Sequence, residues 1–259
     1  MKNTLDIIKI GGNIIDNKNA LDDALHRFSE IRNPKILVHG GGKMASKLNH
    51  KLGLKTQMIH GRRITTEKDI EVVTMIYAGL INKNIVAKLQ SFNCNAIGLS
   101  GCDMSSILAK KRQHPDIDFG YVGDIEFVNA RGLNSLIIPG YSLVFSAITH
   151  DGKGRLLNTN ADTIASKLAI AFSKTYQTRL LYCFEKDGVL ADPGNEFSVI
   201  PEFNKAYFDE LKSTGFINEG MIPKLDNCFD AMEHGVSDVY IGNTLIINKQ
   251  AHTFTKLKL

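Results

Sequence analysis

The residues best suited to chemistry in this chain are lysines and glycines placed where apolar strands end. Lys9 stands inside the apolar stretch "LDIIKIGGN", directly before Gly11-Gly12. An ammonium in a buried strand must find an anion or reach water, because burying it unpaired is costly. A phosphate oxygen would answer that need, and so would snorkelling from an edge strand. The stretch "KILVHGGGKMASKL", Lys35 to Leu48, sends a second apolar strand into Gly40-Gly41-Gly42, then into a helical pattern of Met44, Leu48 and Leu52. Glycines at such a junction permit positive φ and close approach of a ligand, and the N–H groups of the helix start attract anions. Glycine is also the default residue of a tight turn. Two glycine loops at the C-terminal ends of strands can converge on one crevice, and that convergence favours a phosphate site.

Two familiar phosphate motifs are excluded by spacing. A Walker A loop ends in Gly-Lys-Ser/Thr, but Gly42-Lys43 is followed by Met44. The spacing Gly40-x-Gly42-x-x-Ala45 fits a loose dinucleotide fingerprint, which needs an acid about twenty residues later to hold a ribose. From Lys43 to Thr66 there is no Asp or Glu.

Further polar groups gather at helix starts. In "LLNTNADTIASKLAIAF", Asn158, Asn160 and Asp162 precede an apolar helix, where Asn160 suits an N-cap and Asp162 the first turn. In "INEGMIPKLDNCF", Gly220 falls in a loop, Pro223 at a helix start and Lys224 just inside it. In "HGRRITTEKDIEVV", Arg62 or Arg63 precedes a Thr65/Thr66 helix start, and either guanidinium could fork onto a carboxylate or lie in solvent. Lys43, Lys47, Lys51 and Lys55 recur every four residues, which reads as the solvated face of a surface helix.

These groups need elements to hold them. At 259 residues with 43% hydrophobic content and a net charge of +4, the chain has an ordinary globular composition, and nothing in its charge calls for nucleic acid. Cys94, Cys102, Cys183 and Cys228 are scattered without metal-ligand spacing, which suits reduced thiols in the cytoplasm. Asp6 and Lys9 interrupt the early apolar stretch, and no run looks close to the ~18 apolar residues of a membrane span. Short apolar runs at Leu5 to Ile10, Lys35 to His39, Ala96 to Leu99, Leu136 to Ile138, Arg179 to Cys183 and Val239 to Ile241 read as strands. Helical patterns lie between them, including Asn19 to Ile31, Glu67 to Gln90, Asp162 to Phe172, Phe208 to Ser213 and Lys224 to His234. That alternation predicts an α/β fold with a mainly parallel sheet covered on both faces. Phe119 to Val128, Ser142 to Ile148 and "THDGKGRLLN" read as hairpins and loops, and the polar "SKTYQT" near Lys174 suggests a division.

Taken in order, "KIGGN", "VHGGGK", "HGRRIT", "GLSGCD", "VGDIEFVN", "NTNADTIA" and "GMIPKL" span nearly the whole chain. In this collinear arrangement the sequence resembles the amino-acid kinase superfamily, and within it the acetylglutamate kinase family. The resemblance implies a three-layer αβα sandwich, with residues 1–174 as an N-terminal lobe for the acyl-amino acid and for dimerisation, and 175–259 as an ATP lobe. It implies ATP-dependent phosphorylation of the γ-carboxylate of N-acetyl-L-glutamate, a step of arginine biosynthesis, with Mg2+ carried on the ATP phosphates and no metal ligands from the chain.

By the same resemblance, Lys9 and Lys224 would stabilise the moving phosphoryl and Asp162 would hold both lysines. Gly11, Gly12 and Gly41 would offer N–H groups to phosphate, while Gly41, Gly42, Arg63, Asn158 and Asn160 would hold the acyl-glutamate. Asp187, Gly188, Gly220 and Met221 would meet the nucleotide. The stretch "FEKDGVL" departs from the family's usual Thr/Ser-Asp-Val-x-Gly-Val-type segment there, and "YSLVFSAIT", Tyr141 to Thr149, is unusual for an acetyl pocket, which adds N-succinyl-L-glutamate as a candidate. Arginine-inhibited relatives carry an extra N-terminal helix, and with eight residues before Lys9 the expectation is an arginine-insensitive homodimer, with no nucleic-acid or membrane partner. The other expectations to weigh are a sibling kinase with another acceptor and a non-catalytic acyl-amino-acid or nucleotide sensor.

Overall fold

The computed structural model describes residues 2–54, 57–59, 62–192, 194–213 and 221–259. Its strands are β1 (Thr4–Ile10), β2 (Lys35–His39), β3 (Gln57–Ile59), β4 (Arg62–Ile64), β5 (Ala96–Leu99), β6 (Ile107–Lys111), β7 (Gly123–Val128), β8 (Ser142–Ser146), β9 (Ile148–His150), β10 (Leu156–Asn158), β11 (Gln177–Cys183), β12 (Glu202–Asn204), β13 (Asp238–Gly242) and β14 (Thr255–Lys258). The helices are α1 (Gly12–Asp16), α2 (Lys18–Glu30), α3 (Met44–Lys51), α4 (Glu67–Thr74), α5 (Asn82–Ser91), α6 (Ala130–Ile137), α7 (Ala161–Ser173), α8 (Lys205–Ser213) and α9 (Ile222–Glu233), with a π-helical segment, Met75–Ile81, joining α4 to α5.

One eight-stranded sheet runs β12-β14-β13-β11-β1-β2-β8-β5. Every neighbouring pair in it is parallel except β13 and β14. The α/β class and mainly parallel sheet read from the sequence therefore stand. Strands covered on both faces are mostly apolar on both, and in β1 and β2 Leu5, Ile7, Ile8, Ile10, Ile36, Leu37 and Val38 are all buried. Helix α7 packs across β1, β2 and β11 with α9 beside it, while α5 packs on β5 and β8 and against α2.

Strand β1 is central and carries charge on both faces. Asp6 is fully buried and meets Arg179 of β11 at 2.5 Å, with Asn33 donating to its other oxygen. Lys9, three residues on, faces α7 instead, because successive side chains of a strand alternate between faces. A smaller sheet, β10-β9-β6-β7, and the β3-β4 hairpin stand beside the large one.

The middle of the chain departs from the sequence reading. Leu136 to Ile138 is the end of α6, not a strand; Asn129 caps that helix, and Leu133 and Ile137 face the core four residues apart. Gly140, at φ +97°, then turns the chain into β8, which pairs in parallel with β2 and β5. The stretch read as a hairpin is thus an inner strand, buried from Ser142 to Ser146. Helical residues 67–91 are long and apolar enough to cross a membrane, contrary to the sequence reading. Here they form a core helix, since Ile70, Val73, Ile76, Ile81, Ile85 and Leu89 are buried within the protein.

Because β8 is internal, Phe145→Ala should cost about 3–5 kcal/mol of unfolding free energy in a denaturant titration. A loss below about 1 kcal/mol would place that residue at a periphery.

Candidate functional site

The C-terminal ends of β1, β2 and β11 face the N-terminal ends of α7 and α9, and the charged residues meet there. Lys9 leaves β1 beside Tyr182 of β11 and Val38 of β2 in register. Its ammonium lies 2.7 Å from Asp162 Oδ1, and Lys224 Nζ lies 3.3 Å from Asp162 Oδ2. The three side chains are 11%, 15% and 13% exposed, so their charges interact with little screening. Burial alone would raise the Asp162 carboxyl, but Lys9 and Lys224 override it and hold the group at about 2. Burial pushes the Lys9 ammonium below its ordinary value; Asp162 opposes that shift and Lys224 adds to it.

Local chemistry explains why Asp162 sits there. Asn160 caps α7, its side-chain oxygen accepting from the N–H groups of Asp162 and Thr163 at 2.7 and 3.3 Å. Asp162 then falls in the first helical turn, where the dipole favours a carboxylate. The buried Tyr182 hydroxyl donates to the Asp162 main-chain carbonyl at 2.8 Å. Lys224 enters α9 after Pro223, and its ammonium lies 5.4 Å from the Tyr182 ring centroid and 5.9 Å from that of Phe184.

The two glycine loops do converge. A Cβ on Gly12 would stand 3.0 Å from Gly42 Cα, so the loops touch backbone to backbone. Gly11 follows β1 and donates its N–H to the Cys183 carbonyl at 2.9 Å. Gly42 has φ +53°, and the Asp16 carboxylate accepts the next N–H, that of Lys43, at 2.9 and 3.1 Å. Gly41 lies under the Tyr77 ring so closely that a Cβ there would be 1.5 Å from Cε1. His39, just before the loop, is fully buried and held neutral by burial at about 4. Its Nδ1 donates to the Gly40 carbonyl at 2.8 Å, leaving Nε2 to accept from Asn82 at 3.1 Å.

A cavity of about 370 Å3 opens beside these groups, lined among others by Gly42, Arg63, Asn158 and Asn160. Thr163 and Pro223, the chain neighbours of Asp162 and Lys224, also line it, so cavity and charge cluster adjoin. Arg63 reaches Ser46 Oγ at 2.7 Å, and Asn158 donates to Thr65 Oγ1 at 3.1 Å. Thr66 starts α4 with a reciprocal capping box to Asp69. Tyr77 and Arg112 line the cavity too, and neither was found from the sequence. The exposed positions Lys43, Lys47 and Lys51 do form a solvated stripe.

Of the residues assigned to the nucleotide, Asp187, Gly188 and Met221 are not part of this cavity's wall. Exposed Asp187 accepts from Asn243 at 2.5 Å, and Gly188 is buried where a Cβ would meet Thr255 Oγ1 at 2.6 Å. Met221 begins α9, while Gly220 lies outside the described residues. The "FEKDGVL" loop nonetheless borders the cluster, since Phe184 sits under Lys224 and Glu185 accepts from Asn13 at 2.9 Å. The "YSLVFSAIT" stretch, expected beside the acyl group, is mostly the inner strand β8 and is not part of this cavity's wall.

Comparison with known proteins gives a match to the Amino acid kinase family over residues 5–243. The chain is 51% identical to an acetylglutamate kinase of Cytophaga hutchinsonii over 97% of each protein. It is 49% identical to an acetylglutamate kinase of Phocaeicola vulgatus, covering 99% of this chain and 100% of the relative. A crystal structure from Streptococcus mutans UA159 superposes with a TM-score of 0.79 at 25% identity, over 98% of both chains.

The folded Asp162 carboxyl titrates near 2 against an ordinary 3.8, so its ionised form adds stability that is fully present above about pH 4 and lost as pH falls toward 2. The stability gap between wild type and Asp162→Asn should accordingly narrow as pH falls through that window, measured by denaturant titration. A gap independent of pH would mean that the two lysines do not hold the carboxylate in solution.

Proposed function

Because the chain belongs to the amino acid kinase family, among its acetylglutamate kinases, we propose that the Lys9-Asp162-Lys224 cluster and the adjoining cavity are its active site. The chain is an ATP-dependent kinase that phosphorylates the γ-carboxylate of an N-acyl-L-glutamate, with N-acetyl-L-glutamate as the acceptor its relatives' name gives, in arginine biosynthesis. The observation that carries the site is two ammonium groups held by one carboxylate at the meeting point of two glycine loops.

Phosphoryl transfer to a carboxylate brings two anions together and spreads charge over the moving group, so positioning and electrostatic stabilisation supply most of the catalysis. The acceptor is already ionised near neutral pH and needs no base. Asp162, held at about 2 and spanned by both lysines, serves as a strut and not as a proton acceptor. Lys9 acts on the phosphoryl from the side of the glycine loops. Lys224 acts from the nucleotide side, in a lobe comprising residues 175–259. Gly12 and Gly41 present N–H groups to phosphate, whereas the Gly11 N–H, expected to do the same, is taken by the Cys183 carbonyl and ties the loop to β11 instead. Gly41, Gly42, Arg63, Asn158 and Asn160 hold the acyl-glutamate, with Arg63 forking onto its α-carboxylate.

The nucleotide extends over Asp187, Gly188, Gly220 and Met221. Among the described residues no three His, Cys, Asp or Glu side chains converge as a metal cage, and both Asp162 oxygens are engaged by lysines. Mg2+ would be carried in on the ATP phosphates and would supply charge neutralisation there. The enzyme works in the cytoplasm as a homodimer; Met75 and Leu80, about half exposed on the long helix, are apolar groups that a partner copy would cover.

A coupled ADP-release assay with Mg-ATP and acyl-glutamate tests the reading: turnover should appear and fall on the order of 10²-fold or more in Lys9→Ala and in Lys224→Ala. Turnover unaffected by either change would move the chemistry elsewhere. Light scattering after gel filtration should give twice the chain mass, and Met75→Glu with Leu80→Glu should shift it toward one chain mass.

A further inference from the structure

Arg112 is a cationic side chain of the cavity wall to which the site proposed above gives no task. It follows β6 and is 17% exposed, with its guanidinium 5.6 Å from the Phe119 ring centroid. Its Nε and Nη2 donate to Asp124 at 3.0 and 2.5 Å, while Nη1 has no hydrogen-bond partner among the described residues. Asp124, 40% exposed, thus fixes the plane of the fork from one edge and leaves the other edge with unused donors.

The small sheet sets where that edge lies. Lys111 pairs with Gly123 in the antiparallel β6-β7 ladder, and Arg112 continues it by donating its N–H to the Val122 carbonyl at 2.7 Å. Val122 in turn bridges Asn158. Arg112, Val122 and Asn158 are therefore abreast on three neighbouring strands, their side chains on one face, and all three line the cavity. Strands stand about 4.8 Å apart, so the row spans roughly 10 Å from Asn158 to Arg112.

An N-acetylglutamate has two carboxylates. Resting on the proposed function, the γ group reacts at the lysines and the α group takes Arg63, which leaves nothing anionic for Arg112. With Asn158 at the amino-acid end of the row, an acetyl group ends over Val122. An acyl arm longer by a methylene and a carboxylate reaches the next strand and brings a third negative charge to Arg112. We infer that Arg112 forms a subsite for a carboxylate at the end of the acyl arm, so that the preferred acceptor is an N-acylglutamate whose acyl group is a dicarboxylic half-amide of the succinyl type. Arg112 is then a specificity-determining residue that leaves the transferred group to the lysines.

The experiment compares kcat/KM for N-succinyl-L-glutamate and N-acetyl-L-glutamate in wild type, Arg112→Met and Arg112→Lys, using one preparation of each protein so that the ratio does not depend on the folded fraction. The wild-type ratio should favour succinyl by about tenfold or more, fall by at least about tenfold in Arg112→Met, and recover in part in Arg112→Lys, which keeps the charge without the fork. A wild-type preference for acetyl, or equal losses on both substrates in Arg112→Met, would overturn the subsite while leaving the kinase assignment standing. Absence of turnover on both substrates in wild type would instead overturn the kinase reading on which the subsite rests.

Discussion

Two buried ammonium groups cannot share a small volume without an anion between them, and the Asp162 carboxylate is that anion. Lys9 comes from the central strand, Asp162 from the first turn of α7 and Lys224 from the first turn of α9, so the ion triad joins three elements far apart in sequence. Its geometry fixes how α7 and α9 stand on the sheet. Tyr182 reinforces this by filling the space under Lys224 and donating to the Asp162 carbonyl. The electrostatic requirement of the chemistry and the packing of the helices on the sheet are thus met by one contact.

Around this triad the backbone is used as a surface. Gly12 and Gly42 approach too closely for side chains, and His39 with Asn82 fixes the carbonyl that begins the second loop. The π-helical segment supplies Tyr77 to one side of that loop, and Asn82 follows directly after it. Such segments recur at functional sites because the extra residue per turn re-aims side chains that a regular helix would point elsewhere.

Much of this was legible in the sequence for identifiable reasons. Lys9 betrays itself as a cation in a mostly apolar strand, directly before two glycines, and Asn160 and Asp162 sit where cap and dipole chemistry require such groups. The parallel sheet follows from alternating strand and helix patterns. What stayed hidden depends on contacts between distant segments. Leu136 to Ile138 is an apolar run too short to separate a helix end from a strand, and its misreading displaced β8 from the sheet. Arg112 carries no local signal, since only the pairing of β6 with β7 and the bridge from Val122 to Asn158 bring it to the cavity. Tyr77 is equally silent, being one apolar position among many in a long helix.

The contact between Gly41 and the Tyr77 ring has a consequence for how such a chain diverges. The ring occupies the volume that a side chain at position 41 would need, so the first step of change at this pair is closed from the glycine side. A lineage can alter position 41 only after shrinking position 77, and doing so removes a wall of the cavity. The two positions therefore drift as one unit, under selection for the ligand as well as for the fold.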